Sequence, residues 1–199
     1  MEITDTLYVT NRVQWKSWLE ENHSSAKEIW LIYYRKHTGK PRISYNDSVD
    51  MALCYGWIDS TVKLLDIDRT VQRFSPRRKK SELSEMNKER VRRLIKSGEM
   101  TQFGLEKIKH HLEYAVKDKV QKQLFKEFII PADILNELKN DPIVWQNFKQ
   151  FPDHYKTIRT GWIDGARKRP EEFQKRLRYF IKMTRKNKMY GLVQQYLGE

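Results

Sequence analysis

The sequence predicts an α+β fold in which N-terminal helices pack on a small, mainly antiparallel sheet and an all-helical region follows. Three observations carry this expectation. Residues 57–65 and 70–75 alternate in polarity on either side of Asp66-Ile67-Asp68-Arg69, the pattern of a β-hairpin with a four-residue connection. Residues 28–36 are dense in Trp, Ile and Tyr, with Trp30, Ile32 and Tyr34 on one face and Leu31, Tyr33 and Arg35 on the other. Beyond residue 131 the apolar residues recur at helical spacing. There Pro131, Pro142, Pro152 and Pro170 each stand at an expected first helical position, where a missing N–H is no loss. The expected organisation is an α+β domain over 1–115, a basic linker or helix over 116–130, and a helical domain over 131–199.

Each element has a local reason. Thr10 or Asn11 caps a first helix whose apolar face is Trp15, Trp18 and Leu19. After the strand over 28–36, Thr38-Gly39-Lys40-Pro41 forms a turn. Ser44-Tyr45-Asn46-Asp47 has the form of a capping box with Asp in place of Glu and opens a helix over 47–55, with Val49, Ala52 and Leu53 inward. Gly56 stands where a helix C-terminal glycine belongs. Pro76 ends the second hairpin strand because it cannot donate to a ladder. Ser81 or Ser84 caps the next helix, with Met86, Val91, Leu94 and Ile95 inward and Gly98 at its end. Thr101 starts another, carrying Leu105, Ile108 and Leu112. Up to this point the reading is three short strands and four helices. In the C-terminal part, one helix is expected to bury Tyr155, Ile158, Trp162 and Ala166. The last is expected to bury Phe173, Leu177, Phe180, Ile181 and Thr184, leaving Lys175, Arg176, Arg178 and Lys182 toward solvent.

The 199 residues are enough for a sizeable core, and 39% hydrophobic with 12% aromatic content marks a folded chain despite 33% charged residues. The net charge of +13 is unevenly placed. Residues 69–99 hold 11 Lys/Arg against 4 Glu, and residues 167–188 hold 10 against 2, so the rest of the chain is slightly negative. Charge concentrated this way attracts anions such as nucleic acid, phosphorylated metabolites or acidic head groups, although solvated helix faces produce the same composition. A single cysteine, Cys54, forbids an internal disulfide. The N-terminus lacks an apolar run of signal-peptide length and no stretch reaches membrane-spanning length, so a cytoplasmic protein with no membrane span is expected.

Several chemistries lack their residues. His23, His37, His110, His111 and His154 have neither the i, i+4 spacing nor the cysteines of a zinc site, so no metal is expected, and no cofactor motif is present. Cys54 lies at a helix C-terminus inside an apolar stretch, which raises a thiol pKa and reads as a small buried hydrophobe. The glycines are scattered, without a phosphate loop or a nucleophile elbow. Gly161-Trp-Ile-Asp-Gly165 places small residues four apart and permits close helix approach.

The chemistry-bearing stretch is 56–87. Arg73 and Arg77, followed by Arg78 and Lys79, offer paired donors for an anion. Ser81, Ser84 and Asn87 stand near a helix start, whose free N–H groups favour negative charge. Trp57 offers an aromatic wall. Asp59 either pairs with Arg73 or serves as an acid or base, and strand register decides which residues oppose it. Caps, strand pairs and solvated charges account for the same letters.

These residues carry a family resemblance. Trp18-Leu19-Glu20, Glu28-Ile29-Trp30-Leu31, Ala52 through Ser60, Gln72-Arg73-Phe74-Ser75-Pro76-Arg77, Asn87-Lys88-Glu89-Arg90, Phe151-Pro152, Gly161-Trp162-Ile163 and Ala166-Arg167-Lys168 resemble the YdeI/OmpD-associated proteins, also labelled bacteriocin-protection or OmdA-type. A departure is Leu83, where the family usually has Trp between the two serines. The resemblance implies an association with tolerance of cationic antimicrobial peptides and with an outer-membrane porin, and no established reaction. A protein of charge +13 repels a cationic peptide, so any protective role is expected to be indirect. The leading expectation is a non-enzymatic stress-tolerance protein with a basic surface for an anionic ligand or nucleic acid, placed at Trp57, Asp59, Arg73, Arg77, Arg78, Lys79, Ser81, Ser84 and Asn87. The alternatives are an enzyme acting on a small anionic substrate through Asp59, and a module that binds a protein partner through the C-terminal helices.

Overall fold

In a computed structural model, the structure describes residues 2–79, 81–112, 125 and 127–191. The expected linker over 116–130 therefore falls largely outside the described residues. The chain divides into two compact units, one of Met1–Ser81 with Arg90–Leu124 and one of Glu82–Glu89 with Phe125–Glu199.

The first unit is α+β, as its sequence predicts. Its sheet has four strands, β1 (Thr6–Leu7), β2 (Ile29–Tyr34), β3 (Trp57–Leu64) and β4 (Arg69–Pro76), in the order β1-β2-β4-β3. β4 pairs antiparallel with both β2 and β3, while β1 runs parallel to β2. The sequence reading misses β1 because two residues carry no periodicity. Helix α1 (Arg12–Asn22) begins at Asn11, whose side chain accepts from the N–H of Gln14. Helix α2 (Tyr45–Cys54) begins two residues before the expected start, because the Ser44 hydroxyl accepts from the N–H of Asp47 and so caps Tyr45. Gly56 takes the left-handed conformation, with φ 73°, that lets the chain leave α2 and enter β3 directly.

Aromatic packing joins these layers. Trp15 and Phe74 meet edge-on at 5.5 Å, as do Trp18 and Trp57 at 5.6 Å. The buried indole N–H groups of Trp15 and Trp57 donate to the backbone carbonyls of Ser48 and His23, both at 3.0 Å, and that of Trp30 donates to Glu28 Oε1 at 3.2 Å. The apolar residues Leu19, Leu31, Ala52, Leu53 and Val71 fill the space between.

Helix α3 (Glu85–Lys96) is capped by Ser84, the second of the two serines considered, whose hydroxyl accepts from the N–H of Asn87 at 3.2 Å. Leu83, which stands where the family usually has Trp, is buried and is a core residue. Helix α4 (Gln102–Ile108) starts at Thr101 as expected. The division between the units falls within α3, after Glu89.

The second unit holds α5 (Ala132–Lys139), α6 (Pro142–Gln150), α7 (Asp153–Asp164) and α8 (Pro170–Arg185). Pro142 and Pro170 occupy first-turn positions, whereas Pro131 and Pro152 stand one residue earlier, at the caps. Ile134, Leu138, Val144, Phe148, Tyr155, Ile158, Leu177 and Phe180 form the core, with Met86 packed against it. Trp162 corrects the expectation for α7: it is 38% exposed, and Ile163 takes the buried place. Its indole is instead covered by the Arg176 guanidinium, 4.2 Å from the ring centroid, an arrangement that suits an amphipathic ring at a surface. The small residue Gly161 does permit close approach, because a Cβ there would lie 2.5 Å from Cγ of Glu85.

Candidate functional site

The hairpin register separates the residues that the sequence brings together. Asp59 lies opposite Phe74, and Arg73 opposite Trp30 of the neighbouring strand, so the pleat sends Asp59 and Arg73 to opposite faces of the sheet. Asp59 accepts hydrogen bonds from the Tyr45 hydroxyl at 3.0 Å and from Gln72 Nε2 at 2.9 Å. Burial and the Asp59 carboxylate hold the Tyr45 phenol well above its ordinary range, and burial pushes neighbouring Tyr33 up to about 12. Tyr33 in turn donates to Ser48 Oγ at 2.7 Å. In this setting Asp59 ties α2 to the hairpin.

A register shift between Asp59 and Val62 also breaks the expected alternation of β3. Val62 and Leu64 pair with Gln72 and Thr70, which returns them to the face of Asp59. Lys63 pairs with Val71 and lies over Trp30, 5.6 Å from its ring. The alternation expected over 57–65 therefore does not run unbroken past Asp59.

The expected arginine fork is occupied from within. Arg73 Nε donates to Glu28 Oε2 at 2.7 Å, and its Nη1 reaches the hydroxyls of Ser60 and Ser75. Hydrogen bonds from Thr4 and then Arg73 hold the Glu28 carboxyl below the usual glutamate range. Arg77 is 2% exposed and its Nη2 donates to the carbonyl of Ser81 at 3.2 Å, which closes the loop after β4 on itself. Trp57 is 1% exposed and is a core residue, not an aromatic wall for a ligand. Arg78 and Lys79 stand exposed in that loop. Ser84 and Asn87 fall in the second unit, where Ser84 is spent as the α3 cap. Within the first unit, Asp59 and Arg73 face apart while Trp57 and Arg77 are buried, so these four do not converge on one open spot.

The same accounting extends to both basic windows. In the first, Arg69 pairs with Asp66, Lys88 with Glu85, and Arg90 and Arg93 both with Asp50. The Asp50 group is the part of the molecule that sequence reasoning misses. Asp50 is 3% and Arg90 2% exposed, 2.6 Å apart, and Arg90 Nη2 also donates to Asn46 Oδ1 at 2.6 Å. Forty residues separate the partners, so no local pattern signals the pair.

In the second window, Arg167 is held by Asp133 and Asp164, and Arg176 by Glu172. Lys175, Arg178 and Lys182 differ. They are exposed and share one face of α8 at spacings of three and four, and among the described residues no carboxylate lies within ion-pair distance of them. Arg185 extends this face with a loose 3.5 Å pair to Asp141. Tyr179, 46% exposed, flanks it. Glu171 and Glu172 occupy the first turn, where negative charge suits the helix dipole, so the basic face begins at Lys175.

Two family models match the chain. Residues 127–187 match the model described as Bacteriocin-protection, YdeI or OmpD-Associated. Over this C-terminal segment the chain is similar to the YdeI/OmpD-associated family. Residues 7–107, about half of the chain, match a second model, the domain of unknown function DUF8412, and the chain belongs to that family over this part. Searches of curated proteins and of solved structures each returned no match. The YdeI/OmpD-associated segment contains all of α5 to α8, and with them the free cations of α8. Among the described residues no helix is long and apolar enough to cross a membrane, and no group of three His, Cys, Asp or Glu is placed to hold a metal ion. Cys54 is buried, and burial, followed by the charge of Glu99, pushes its thiol up to about 12.

Proposed function

We propose that this protein, which carries a YdeI/OmpD-associated segment, is a non-enzymatic, cytoplasmic binding protein that holds polyanions, nucleic acid foremost, on the basic face of α8. One observation supports this reading above the rest: Lys175, Arg178 and Lys182 are exposed, aligned and without a carboxylate partner among the described residues. From Lys175 to Lys182 the helix rises about 10 Å. That is about the axial length of three nucleotide steps at roughly 3.4 Å per step of one strand. Cations aligned along a helix displace condensed counterions, which makes binding favourable and steeply salt-dependent. Tyr179 beside them adds a ring on which an unpaired base stacks. Arg78 and Lys79, exposed after β4, provide a further basic point within the first unit.

This reading moves the binding surface away from Arg73 and Arg77, whose guanidinium groups are engaged by the protein itself. It also gives the bacteriocin-protection association an indirect form. A surface that binds polyanions does not sequester a cationic peptide, so tolerance would arise through an anionic partner inside the cell. The deciding experiment is titration of a labelled duplex and a labelled single strand with the full chain, compared with Lys175→Ala/Arg178→Ala/Lys182→Ala. Loss of affinity in the triple variant supports the reading. Equal affinity, or binding by neither nucleic acid while anionic vesicles bind, overturns it.

A further inference from the structure

A cleft of about 490 Å³ opens in the first unit beside α1, the end of α2 and the turn between α3 and α4. Its size lies within the range of roughly 300–1,000 Å³ typical of small-molecule sites. Nothing derived above uses it, and Asp59, Arg73 and Arg77 do not line it.

Its floor is apolar and soft. Met51 and Cys54 are buried there, at 4% and 1% exposed, and Met100 adds a second thioether from the turn. The end of α2 is firmly held. The Thr101 hydroxyl donates to the carbonyl of Cys54 at 2.5 Å, and Gly104 approaches that carbonyl so closely that a Cβ would lie 2.3 Å from its oxygen. The raised thiol pKa keeps the Cys54 sulfur neutral, so it adds apolar surface and no charge.

The rim carries both signs of charge. Arg12, Lys16 and Glu20 follow one another at i, i+4 spacing along α1, which sets them on one side of the helix. Glu99 stands in the turn, paired with Arg12 and accepting from Ser97 Oγ at 2.8 Å. Tyr55 donates from its hydroxyl to Glu20 at 3.0 Å. Two cations and two anions line the cleft, so its formal charge cancels in a chain whose net charge is +13. Such a site does not favour a polyanion. Lys16 and Glu20 are 3.6 Å apart with side chains 55% and 50% exposed, and open pairs of this kind contribute little to stability. Their charges are therefore available for exchange onto a ligand that brings its own ammonium and carboxylate.

We propose that this cleft binds a small zwitterion with an apolar tail, of the class of free apolar α-amino acids. The carboxylate sits at Arg12 and Lys16, the ammonium between Glu20 and Glu99, and the tail on Met51, Cys54 and Met100.

The test is calorimetric titration of the full chain with L-methionine and L-leucine, with N-acetylmethionine amide and inorganic phosphate as comparison probes. Saturable binding of the free amino acids is expected, weakened at least about tenfold, one decade of Kd, when both termini of the probe are capped. Lys16→Glu, a change at an exposed side chain, lowers affinity by a similar factor, and Met100→Trp, which fills the cleft, removes binding. Thermal melts of both variants verify that they fold, and the α8 triple variant binds amino acids as the parent does. Three results overturn the proposal: no saturable binding of either amino acid up to about 10 mM, a range where interaction is barely stronger than nonspecific; tighter binding of phosphate than of amino acids; or affinity unchanged in folded Met100→Trp.

Discussion

Replacing Lys175, Arg178 and Lys182 together by Ala removes three cations from one face of α8 without touching its buried residues Phe173, Leu177, Phe180 and Thr184. Each cation that neutralises a duplex phosphate contributes about 0.9 to the slope of log affinity against log salt. Three such contacts give about 2.7, so between 50 and 200 mM salt they account for a loss of roughly 40-fold in affinity. The variant should therefore bind duplex DNA more weakly at low salt, with a slope shallower by about 2.7. Fluorescence anisotropy of a labelled duplex of about 20 base pairs across that salt range, against a span of ~3.4 Å per step, reads both quantities. Ala is a strong helix former, so the helix itself should be preserved and the melting temperature little changed. A wild-type slope of smaller magnitude than about 1, or a variant whose slope falls by less than one phosphate's contribution of about 0.9, refutes the reasoning. In that case these side chains are only a solvated face.

Other expectations concern the first unit. Asp50→Ala leaves Arg90 buried without its carboxylate and should destabilise by about 3–5 kcal/mol, seen as a lower urea midpoint; a loss below about 1 kcal/mol, the range of a surface pair, would show that the pair is not closed to water. Gly104→Ala drives a Cβ to within 2.3 Å of the Cys54 carbonyl oxygen and should cost about 1–3 kcal/mol or more through overpacking, measured by thermal denaturation, whereas the same change at Gly98, open on all sides, meets no steric barrier and only the strain of its positive φ. Glu28 has a folded pKa below the ordinary 4.5, so its contribution to stability is present above that value and lost as pH falls through the lowered one. Glu28→Gln should accordingly flatten the acid limb of a stability–pH profile, and an unchanged limb would count against the Thr4 and Arg73 contacts as its cause.

Much of the fold was legible along the chain because local rules decide it. Asn11, Ser44, Thr101 and Asp141 cap helices through side chains that satisfy N–H groups two or three residues ahead, and such reach is visible in the letters. Gly56 had to follow α2, and the alternation around Asp66–Arg69 had to fold back as a hairpin. Burial of Leu177 and Phe180 with exposure of Lys175 and Arg178 followed from helical spacing. The two-residue strand β1 lay below what periodicity can register, and Trp162 turned outward because a distant arginine covers its ring.

The candidate site divides along the same line. Sequence alone established the family likeness, the excess of positive charge and its concentration in two windows. Which of those charges remain available is a question about partners far away in the chain. Glu28 reaches Arg73 across 45 residues and Asp50 reaches Arg90 across 40, whereas no described carboxylate comes within ion-pair distance of Lys175, Arg178 or Lys182. The bulge in β3 and the register against Phe74 then set Asp59 and Arg73 on opposite faces of one sheet. Counting charges needs only composition, but neutralising one needs an opposite charge within a few ångströms, and only tertiary structure sets that distance.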